Sequence, residues 1–389
     1  MAMAMAMLTV SGMNVLSRTE LWVPRYVDIL DDSPSALEFC RDYVSLNRPV
    51  LIRGGCRHWP AFRKWRHLSY LREKLQDTHI TVAESPNGHA DCIHDDRFVL
   101  PHQRKISFEE LLTHIQQPHQ NDHRDPLHHH RHRHPHGHEG RMKNDDHGSY
   151  SVLYAQLQND SLNSEFDVLR DDVMELRWAA AAFREGVDAV NMWMGTSHAV
   201  SSLHQDPYEN IYAVVTGKKI FTLVPPCDTW MLQYQQYAVA SFNRTMTSRL
   251  TRPNTKWRGD GDGDEDGDGD GDGDGDGGGD GEDGDGDGDG SADGFEIVDE
   301  DPPRSVPWTR LDPSAASSEF KDFLSFGRAL VVEVEAGDVL YLPSFWFHKV
   351  EQIHDEHNGL CIAVNYWYDV AFEARYTYMR FLQRLIKRV

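Results

Sequence analysis

Residues 201–224 of this 389-residue chain have the sequence SSLHQDPYENIYAVVTGKKIFTLV. The first part contains an HxD triplet, and two short apolar runs, IYAVV and IFTLV, follow it on either side of a glycine-containing turn. On an extended segment, residues i and i+2 project from the same face, so His204 and Asp206 can direct an imidazole and a carboxylate at one point. The segment therefore predicts two strands joined by a turn, with two candidate metal ligands just before them.

A third candidate ligand lies far downstream. His348 follows the apolar run Val339–Leu342 and stands directly after three aromatic residues. On a strand next to His204 and Asp206, it would complete a 2-His-1-carboxylate triad, which binds Fe(II) and leaves coordination positions open for a co-substrate and O2. His204, Asp206 and His348 are therefore the predicted metal ligands and catalytic residues.

The HxD pattern alone is weak evidence, because the chain has 22 histidines. The pattern also occurs at residues 89–91, 94–96 and 123–125, and each of these is interpreted as a solvated loop pair. The triplet at His204 differs because it precedes a strand-turn-strand unit that holds Lys219 among apolar residues. A lysine in such a strand must reach solvent or meet an anion, and beside an iron site we expect that anion to be a dicarboxylate.

Apolar runs of strand length recur through the second half of the chain, separated by Gly, Pro and Asp. Repeated short strands of this kind indicate a β-sandwich or barrel. The predicted strands are Ala189–Trp193, Asn210–Val215, Lys219–Val224, Leu330–Val334, Val339–Leu342 and Leu360–Trp367.

The first hundred residues are predicted to be mixed α/β. The Ser-Pro pair at 33–34 fits the N-cap and first position of a helix that continues to Val44. The run 49–52 fits a short strand, and Ser107 with Glu110 forms a capping box that predicts another helix.

The C-terminal segment 371–389 has helical periodicity. Its apolar positions predict an amphipathic helix that packs on the barrel or forms a homodimer interface. These positions are Phe372, Met379, Leu382 and Ile386.

Two low-complexity segments interrupt the sequence. Residues 117–148 contain ten histidines, and residues 259–294 consist of 17 Gly, 15 Asp, 2 Glu, one Ser and one Ala. The second segment carries −17 of the net charge of −23, which leaves −6 for the rest of the chain. Both segments lack the apolar content to offset the entropy of ordering, so both are predicted to be solvated loops or disordered. The chain has no broad cationic excess, which argues against a nucleic-acid partner.

Each insert leaves alternatives open. The histidine segment is either a weak site for Ni, Zn or Cu or a loop without a selected function. The Gly/Asp segment is interpreted as a solubilising linker, with loose cation binding or recruitment of a basic partner as alternatives. The predicted organisation is a leader (1–17), an N-terminal α/β part packed on the barrel (18–116), the histidine-rich insert (117–148) and a β domain (149–389) that the Gly/Asp insert interrupts.

The five cysteines are odd in number, widely spaced and without a CxxC pair. This argues against a disulfide framework or a cysteine zinc site and favours a reducing compartment, the cytoplasm, with the nucleus as a second location. No window approaches 18 apolar residues, so no membrane span is predicted. The alternating Met and Ala residues at the start are interpreted as a disordered leader, with a targeting signal as the alternative.

Several sequence blocks together resemble the jumonji-C (JmjC) oxygenases. They are NMWMG at 191–195, SSLHQDPYEN at 201–210, GKKIF at 217–221, AGDVLYLP at 336–343 leading to His348, and AVNYWY at 363–368. Outside the predicted strands, NRP at 47–49, HWPA at 58–61 and KW at 64–65 are similar to the N-terminal part of one small branch, the JmjC-only lysyl hydroxylases. The resemblance covers the chain from about Trp22 to Leu385, apart from the two inserts.

The resemblance implies a mainly β fold with flanking helices, the double-stranded β-helix (cupin or jelly roll) of the JmjC type. It implies an oxygenase that uses Fe(II), 2-oxoglutarate and O2, with His204, Asp206 and His348 as metal ligands. Lys219 would pair with the distal carboxylate of 2-oxoglutarate. Further positions that match the co-substrate pocket of the family are Ser201, Asn210, Asn365 and Tyr154. Ser201 stands where the family commonly has Thr, and it keeps the hydroxyl.

Three function classes follow from the resemblance. The first is hydroxylation of a lysine in a protein substrate, where relatives act on developmentally regulated GTP-binding proteins. The second is demethylation of histone lysine or arginine, or cleavage of methylated histone tails. Against it stand the absence of a cysteine-rich chromatin-reading zinc module and of an HExxH or nucleophile motif in the sequence. The third is a non-catalytic metal-binding cupin scaffold, which would not need His204, Asp206, Lys219 and His348 together.

Overall fold

The structure, a computed structural model, describes residues 24–116, 151–183, 185–245, 294–312, 323, 328–371 and 376–381. Within these residues most elements are strands, arranged in one nine-stranded sheet and two five-stranded sheets. The predicted mainly β jelly-roll fold is confirmed.

The larger sheet has the strand order β1-β2-β17-β11-β19-β9-β8-β3-β7. Its strands are β1 (Asp28–Leu30), β2 (Val50–Ile52), β3 (His79–Ser85), β7 (His102–Ser107), β8 (Val152–Ala155), β9 (Val187–Gly195), β11 (Tyr208–Thr216), β17 (Val339–Leu342) and β19 (Cys361–Asp369). At its centre β19 pairs antiparallel with both β11 and β9. Strands from the N-terminal segment therefore complete the same sheet that the predicted barrel strands build.

The smaller sheet faces the larger one and has the order β16-β12-β18-β10-β4. Its strands are β4 (His89–Ala90), β10 (Val200–Gln205), β12 (Lys218–Val224), β16 (Leu330–Glu335) and β18 (Phe347–Ile353). The chain passes from β11 in one sheet to β12 in the other through Gly217, whose φ is +72°. A Cβ atom there would lie 2.5 Å from the Ile353 carbonyl oxygen, so this turn between the sheets requires glycine.

Both faces of the larger sheet are buried, as β11 illustrates. Tyr212 and Val214 point into a core between the two sheets, together with Phe221 from β12. The alternate residues Ile211 and Ala213 point to the opposite face, where the helices pack. A strand covered on both sides is continuously apolar, which explains the run IYAVV.

Short helices pack on the outer face of the larger sheet. They are α1 (Ala36–Phe39), which continues as a π-helix (Cys40–Val44), α2 (Pro60–Lys64), α3 (Leu68–Leu75), α4 (Phe108–Gln116) and α5 (Arg177–Ala180). Short 3-10 segments cover Ser161–Asn163, Asp167–Asp172 and Pro226–Met231. The helices and the first two 3-10 segments cover the outer face of the larger sheet with residues such as Phe39, Leu71 and Leu111, whereas Met231 of the third packs near Leu203 and Phe347 of the smaller sheet.

The first helix begins later than predicted. Its N-cap is Ser35 and not Ser33, because Ser35 and Glu38 form a reciprocal capping box. The helix after Ser107 is present, with the Glu110 backbone N–H donating to Ser107 Oγ at 3.1 Å, while the Glu110 carboxylate pairs with Arg104 instead.

The second five-stranded sheet, a side sheet, was not predicted. It has the order β14-β13-β6-β5, with β15 also paired to β13. The strands are β5 (Cys92–His94), β6 (Arg97–Leu100), β13 (Gln235–Arg244), β14 (Phe295–Asp299) and β15 (Ser305–Trp308). It lies next to the open end of the smaller sheet, where β15 brings Trp308 beside His204.

Several predictions fall outside the described residues: the leader 1–17, the histidine-rich insert 117–148 and the Gly/Asp insert up to residue 293. Of the C-terminal segment, residues 376–381 are helical, and Phe372, Leu382 and Ile386 lie outside the description. All five cysteines carry free thiols, as predicted. Within the described ranges we find no helix of the length and apolarity that a membrane span requires.

Candidate active site

The two predicted metal-binding histidines face each other across a pair of strands. His204 on β10 and His348 on β18 are direct register partners, and their ring centroids are 4.2 Å apart. Asp206, just after β10, places its Oδ2 3.5 Å from His348 Nε2 and 3.8 Å from His204 Nε2. One ligand atom from each of the three residues lies within 4.8 Å of the others, and among the described residues no other group of His, Cys, Asp or Glu meets this criterion.

The backbone fixes which nitrogen each histidine presents to the cluster. His204 Nδ1 lies 2.7 Å from the Ser202 carbonyl oxygen, and His348 Nδ1 lies 3.0 Å from the Trp346 carbonyl oxygen. A carbonyl oxygen accepts only from a protonated Nδ1, so the neutral imidazoles present an unprotonated Nε2 to Asp206. Outer hydrogen bonds of this kind orient histidine ligands in metal sites.

The environment of His204 favours the neutral, metal-binding form. Burial lowers its pKa to about 4, and the neighbouring His348 acts in the same direction. At neutral pH the Nε2 lone pair of His204 is therefore available to a cation.

Lys219 is fully buried, so its side chain does not reach solvent. Its Nζ donates to the hydroxyl of Tyr154 at 2.9 Å and to the amide oxygen of Gln352. In the part of the chain that the structure covers, no carboxylate forms an ion pair with Lys219. A buried ammonium with neutral partners is costly, so the position is suited to an anionic ligand.

The other predicted co-substrate residues gather around the same space. Tyr154, Ser201 and Asn210 line a cavity of about 20 Å³ together with the three candidate metal ligands. Asn365 is fully buried directly behind them, where its Nδ2 donates to Asn210 Oδ1 at 3.1 Å and its Oδ1 accepts from Trp193 Nε1 at 2.8 Å. Lys219 likewise contacts the cavity through Tyr154. All eight predicted residues therefore belong to one cluster.

A short loop between β17 and β18 fixes the backbone position of the metal-ligand cluster. Glu209, buried on β11, accepts from the hydroxyl of Tyr341 at 2.7 Å and from the Ser344 backbone N–H at 3.1 Å. Next in the loop, the Phe345 N–H donates to the Asp206 carbonyl oxygen at 3.0 Å. Phe345 has φ of +67°, which is rare for an aromatic residue and fits a loop whose conformation is imposed by these bonds.

Residues outside the predicted set also belong to the site. Gln352 holds Lys219, and its Nε2 donates to the Thr196 carbonyl oxygen at 2.6 Å. Trp367 lines the cavity and stacks on Tyr208, with centroids 4.5 Å apart, and Trp308 is parallel to His204 at 6.5 Å. None of these carries a sequence pattern of its own, although Trp367 lies in the AVNYWY block.

The interpretation of residues 89–91 as a solvated loop pair is wrong. β4 runs parallel to β10, with Ala90 opposite Ser201, so Asp91 comes next to the strand that carries His204. Burial raises the pKa of Asp91 to about 6, and the charge of Asp206 adds to this effect. Residues 94–96 lie at the turn between β5 and β6, and residues 123–125 are outside the description.

Comparisons with known proteins agree with this architecture. A family model described as a cupin-like domain matches residues 35–374. The human bifunctional peptidase and (3S)-lysyl hydroxylase JMJD7 is 34% identical over 369 residues, which cover 95% of this chain and 92% of the relative. The Arabidopsis thaliana lysine-specific demethylase JMJ32 is 32% identical over 378 residues, covering 94% and 88%. The Dictyostelium discoideum JmjC domain-containing protein E is 33% identical over 377 residues, covering 92% and 88%.

Proposed function

The chain belongs to the cupin-like domain family, in its JmjC branch of dioxygenases, and from this premise we propose that it is an Fe(II)- and 2-oxoglutarate-dependent hydroxylase of a lysine in a protein substrate. The observation that carries the proposal is the buried Lys219 near the His204, Asp206 and His348 cluster. A non-catalytic scaffold that only binds metal would not require a buried lysine at that place. The human relative, 34% identical, is named a (3S)-lysyl hydroxylase, which supports lysine as the target.

The donor set fits iron. Two neutral imidazoles and one carboxylate form the facial triad typical of non-haem Fe(II) oxygenases. Both Nε2 atoms face Asp206 because both Nδ1 atoms are engaged by backbone carbonyls. When bound, iron with 2-oxoglutarate supplies the oxidation of an unactivated C–H bond, and the chain's own residues bind and orient the reactants.

Lys219 and its neighbours would bind the co-substrate. The ammonium group would exchange Gln352 for the distal carboxylate of 2-oxoglutarate, while the hydroxyls of Tyr154 and Ser201 supply further donors. The cavity of about 20 Å³ holds roughly one or two waters, so these side chains must shift to admit a dicarboxylate. Asn210, which lines the same cavity, and Asn365, which donates to Asn210, would orient the other end of the co-substrate.

In this proposal the product depends on which C–H bond the protein substrate places at the metal. Positioning, not acid-base chemistry, is the main contribution of the chain. We propose a cytoplasmic substrate of the developmentally regulated GTP-binding type, as the JmjC-only branch suggests. Demethylation and peptidase activity are the competing outcomes, and the names of the Arabidopsis and human relatives mention them.

The test compares reaction products from the full chain with Fe(II), 2-oxoglutarate and candidate proteins. We expect succinate release coupled to the gain of one oxygen atom on a lysine, detected by mass spectrometry of the peptide, and loss of both in His204→Ala. Formaldehyde release from a methyl-lysine peptide would instead establish demethylation. Peptide cleavage without succinate would contradict the oxygenase mechanism.

A further inference from the structure

A second, much larger cavity has Asp91 in its lining. Its volume is about 600 Å³, within the range of ligand-binding pockets. Its walls come from β3, from the β6–β7 connection, from residues 156–159 after β8 and from β13. The described residues that line it include no Lys or Arg, and Asp91 is the one carboxylate among them.

Among the lining residues of this cavity, Asp91 directly follows β4, the strand that pairs with β10. The register that pairs Ala90 with Ser201 brings Asp91 next to β10, on the opposite edge of that strand from β18 and His348. Asp91 is also close enough to Asp206 for the two carboxylates to interact electrostatically. Asp91 is not a member of the metal-ligand group.

The Asp91 carboxylate has no protein partner within the described ranges. Neither a hydrogen bond nor an ion pair from a described side chain reaches it, whereas Asp96 five residues on pairs with Arg310. A partly buried, unpaired carboxylate facing another carboxylate is unfavourable unless a cation compensates it.

The backbone conformation at position 91 does not explain why the residue there is an aspartate. Asp91 has φ of +54°, a left-handed conformation that Asn adopts as readily as Asp. The co-substrate is itself an anion, so Asp91 does not serve it. Iron would be held by His204, Asp206 and His348, and Asp91 is not among these ligands, so the further cation that suits Asp91 is one that the protein substrate brings.

We propose that Asp91 binds the ε-ammonium group of the target lysine and thereby determines substrate specificity. This inference rests on the proposed function and names the recognition element of that site. An unmethylated ammonium donates charge-assisted hydrogen bonds to a carboxylate, and a trimethylated one has no N–H to donate. Asp91 therefore selects unmodified lysine over trimethyl-lysine and over the uncharged isostere norleucine.

The experiment uses the full chain loaded anaerobically with Fe(II) and 2-oxoglutarate. The probe is a peptide library with a fixed central lysine, matched by libraries with norleucine or trimethyl-lysine at that position. Binding is measured from the change that each library causes in the visible absorption of the iron complex, which also checks that the metal site is intact. Oxygen is then admitted and hydroxylated lysine is quantified.

We expect Asp91→Asn, which keeps the left-handed backbone and removes the charge, to weaken binding of the lysine library about 10- to 100-fold. Asp91→Glu should restore part of the preference for lysine. The matched control is Asp95→Asn, because Asp95 also has positive φ (+44°) but its side chain is 61% exposed at the β5–β6 turn. Asp95→Asn should bind like the wild type.

An undiminished preference for lysine over norleucine in Asp91→Asn would overturn the inference. Wild-type protein that prefers lysine through Asp91 yet forms no hydroxylated product would refute the proposed reaction and leave the recognition role standing. Absence of any lysine preference in the wild type would refute both.

Discussion

The ammonium group of Lys219 is enclosed by neutral partners, the hydroxyl of Tyr154 and the amide of Gln352. Its burial makes snorkelling to solvent impossible, so the charge is compensated only when an anion enters. We predict that Lys219→Met weakens 2-oxoglutarate binding about 10- to 100-fold, the effect of losing a charge-assisted contact of about 1.5–3 kcal/mol. Titration calorimetry with a redox-inert divalent metal measures this directly.

The neighbouring Lys218→Met is the control for that measurement. Lys218 points the other way and pairs with Glu333 at 2.7 Å on the sheet surface. Equal affinities of Lys218→Met and Lys219→Met would show that Lys219 does not bind the co-substrate.

Gly195 provides the space in which Tyr154 and Gln352 hold Lys219. A Cβ atom at Gly195 would lie 2.7 Å from Tyr154 Cδ2 and 2.8 Å from Gln352 Nε2. We therefore predict that Gly195→Ala displaces both side chains, lowers 2-oxoglutarate affinity and costs about 1–3 kcal/mol of folding free energy. Urea unfolding and co-substrate titration test the two effects. Gly186→Ala, where a Cβ meets nothing within 4 Å, should change neither.

Some single residues were predictable from the sequence and others were not. His204, Asp206, His348 and Lys219 stand in motifs whose residue types match their chemistry. Asp91 belongs to an HxD triplet as well, yet only the parallel pairing of β4 with β10 brings it to the site. Such a long-range pairing leaves no local signal in the sequence.

At the scale of elements, the strands of the larger sheet were easiest to predict. β11 and β19 are buried on both faces and therefore contain the continuous apolar runs IYAVV and CIAV. β18, FHKVEQI, was not predicted as a strand, although it is mostly buried. Its buried positions include His348 and Gln352, which belong to the site, and Lys349, which pairs with Asp312 at 2.8 Å, so the apolar pattern that identifies strands is missing.

The outer helices are joined through one buried carboxylate. Asp172 accepts from Lys64 Nζ at 2.6 Å, Trp65 Nε1 at 3.0 Å and the Tyr70 hydroxyl at 2.5 Å, which connects α2 and α3 to the 3-10 segment Asp167–Asp172. Burial raises the pKa of Asp172, but these three hydrogen bonds outweigh burial and the net pKa is lowered.

We predict that Asp172→Asn lowers the free energy of unfolding by about 2–3 kcal/mol at pH 7, a moderate value because Lys64 is 47% exposed and solvent screens its charge. A lowered folded-state pKa stabilises the protein above the unfolded pKa of about 3.9 and loses this contribution as the pH falls through the folded value. The difference between wild type and variant should therefore shrink below about pH 4. Urea midpoints equal to those of the exposed neighbour variant Asp171→Asn at pH 7 would contradict this role.

At the scale of the whole molecule, the Gly/Asp insert joins two paired strands. β13 and β14 are antiparallel with Arg244 opposite Phe295, and the Thr245 N–H donates to the Gly294 carbonyl oxygen at 3.0 Å. The segment between Thr245 and Gly294, which contains the insert, therefore leaves and re-enters the folded domain at one hydrogen-bonded pair of residues. Its length is free to vary at little cost, since doubling a loop costs only about 0.6 kcal/mol.

We predict that removing residues 259–293 changes the free energy of unfolding by less than about 1 kcal/mol and leaves co-substrate turnover intact. The net charge would change from −23 to −6, so any affinity for a basic partner should lose its salt dependence. Thermal unfolding, turnover and partner binding at two salt concentrations are the measurements. A large loss of stability would show that the insert belongs to the fold, and unchanged salt dependence would remove its recruiting role.

The central claim is that His204, Asp206, His348 and Lys219 form one iron and 2-oxoglutarate site. The most direct test is an anaerobic titration of Fe(II) into the chain with 2-oxoglutarate, following the visible charge-transfer band of a chelated iron-keto acid complex. The titration should use a variant without residues 117–148. The ten histidines of that segment could otherwise hold iron outside the site and obscure the signal. We expect a band that disappears in His204→Ala and requires more 2-oxoglutarate in Lys219→Met, whereas folded protein that shows no band, or a band unaffected by His204→Ala, would contradict the account.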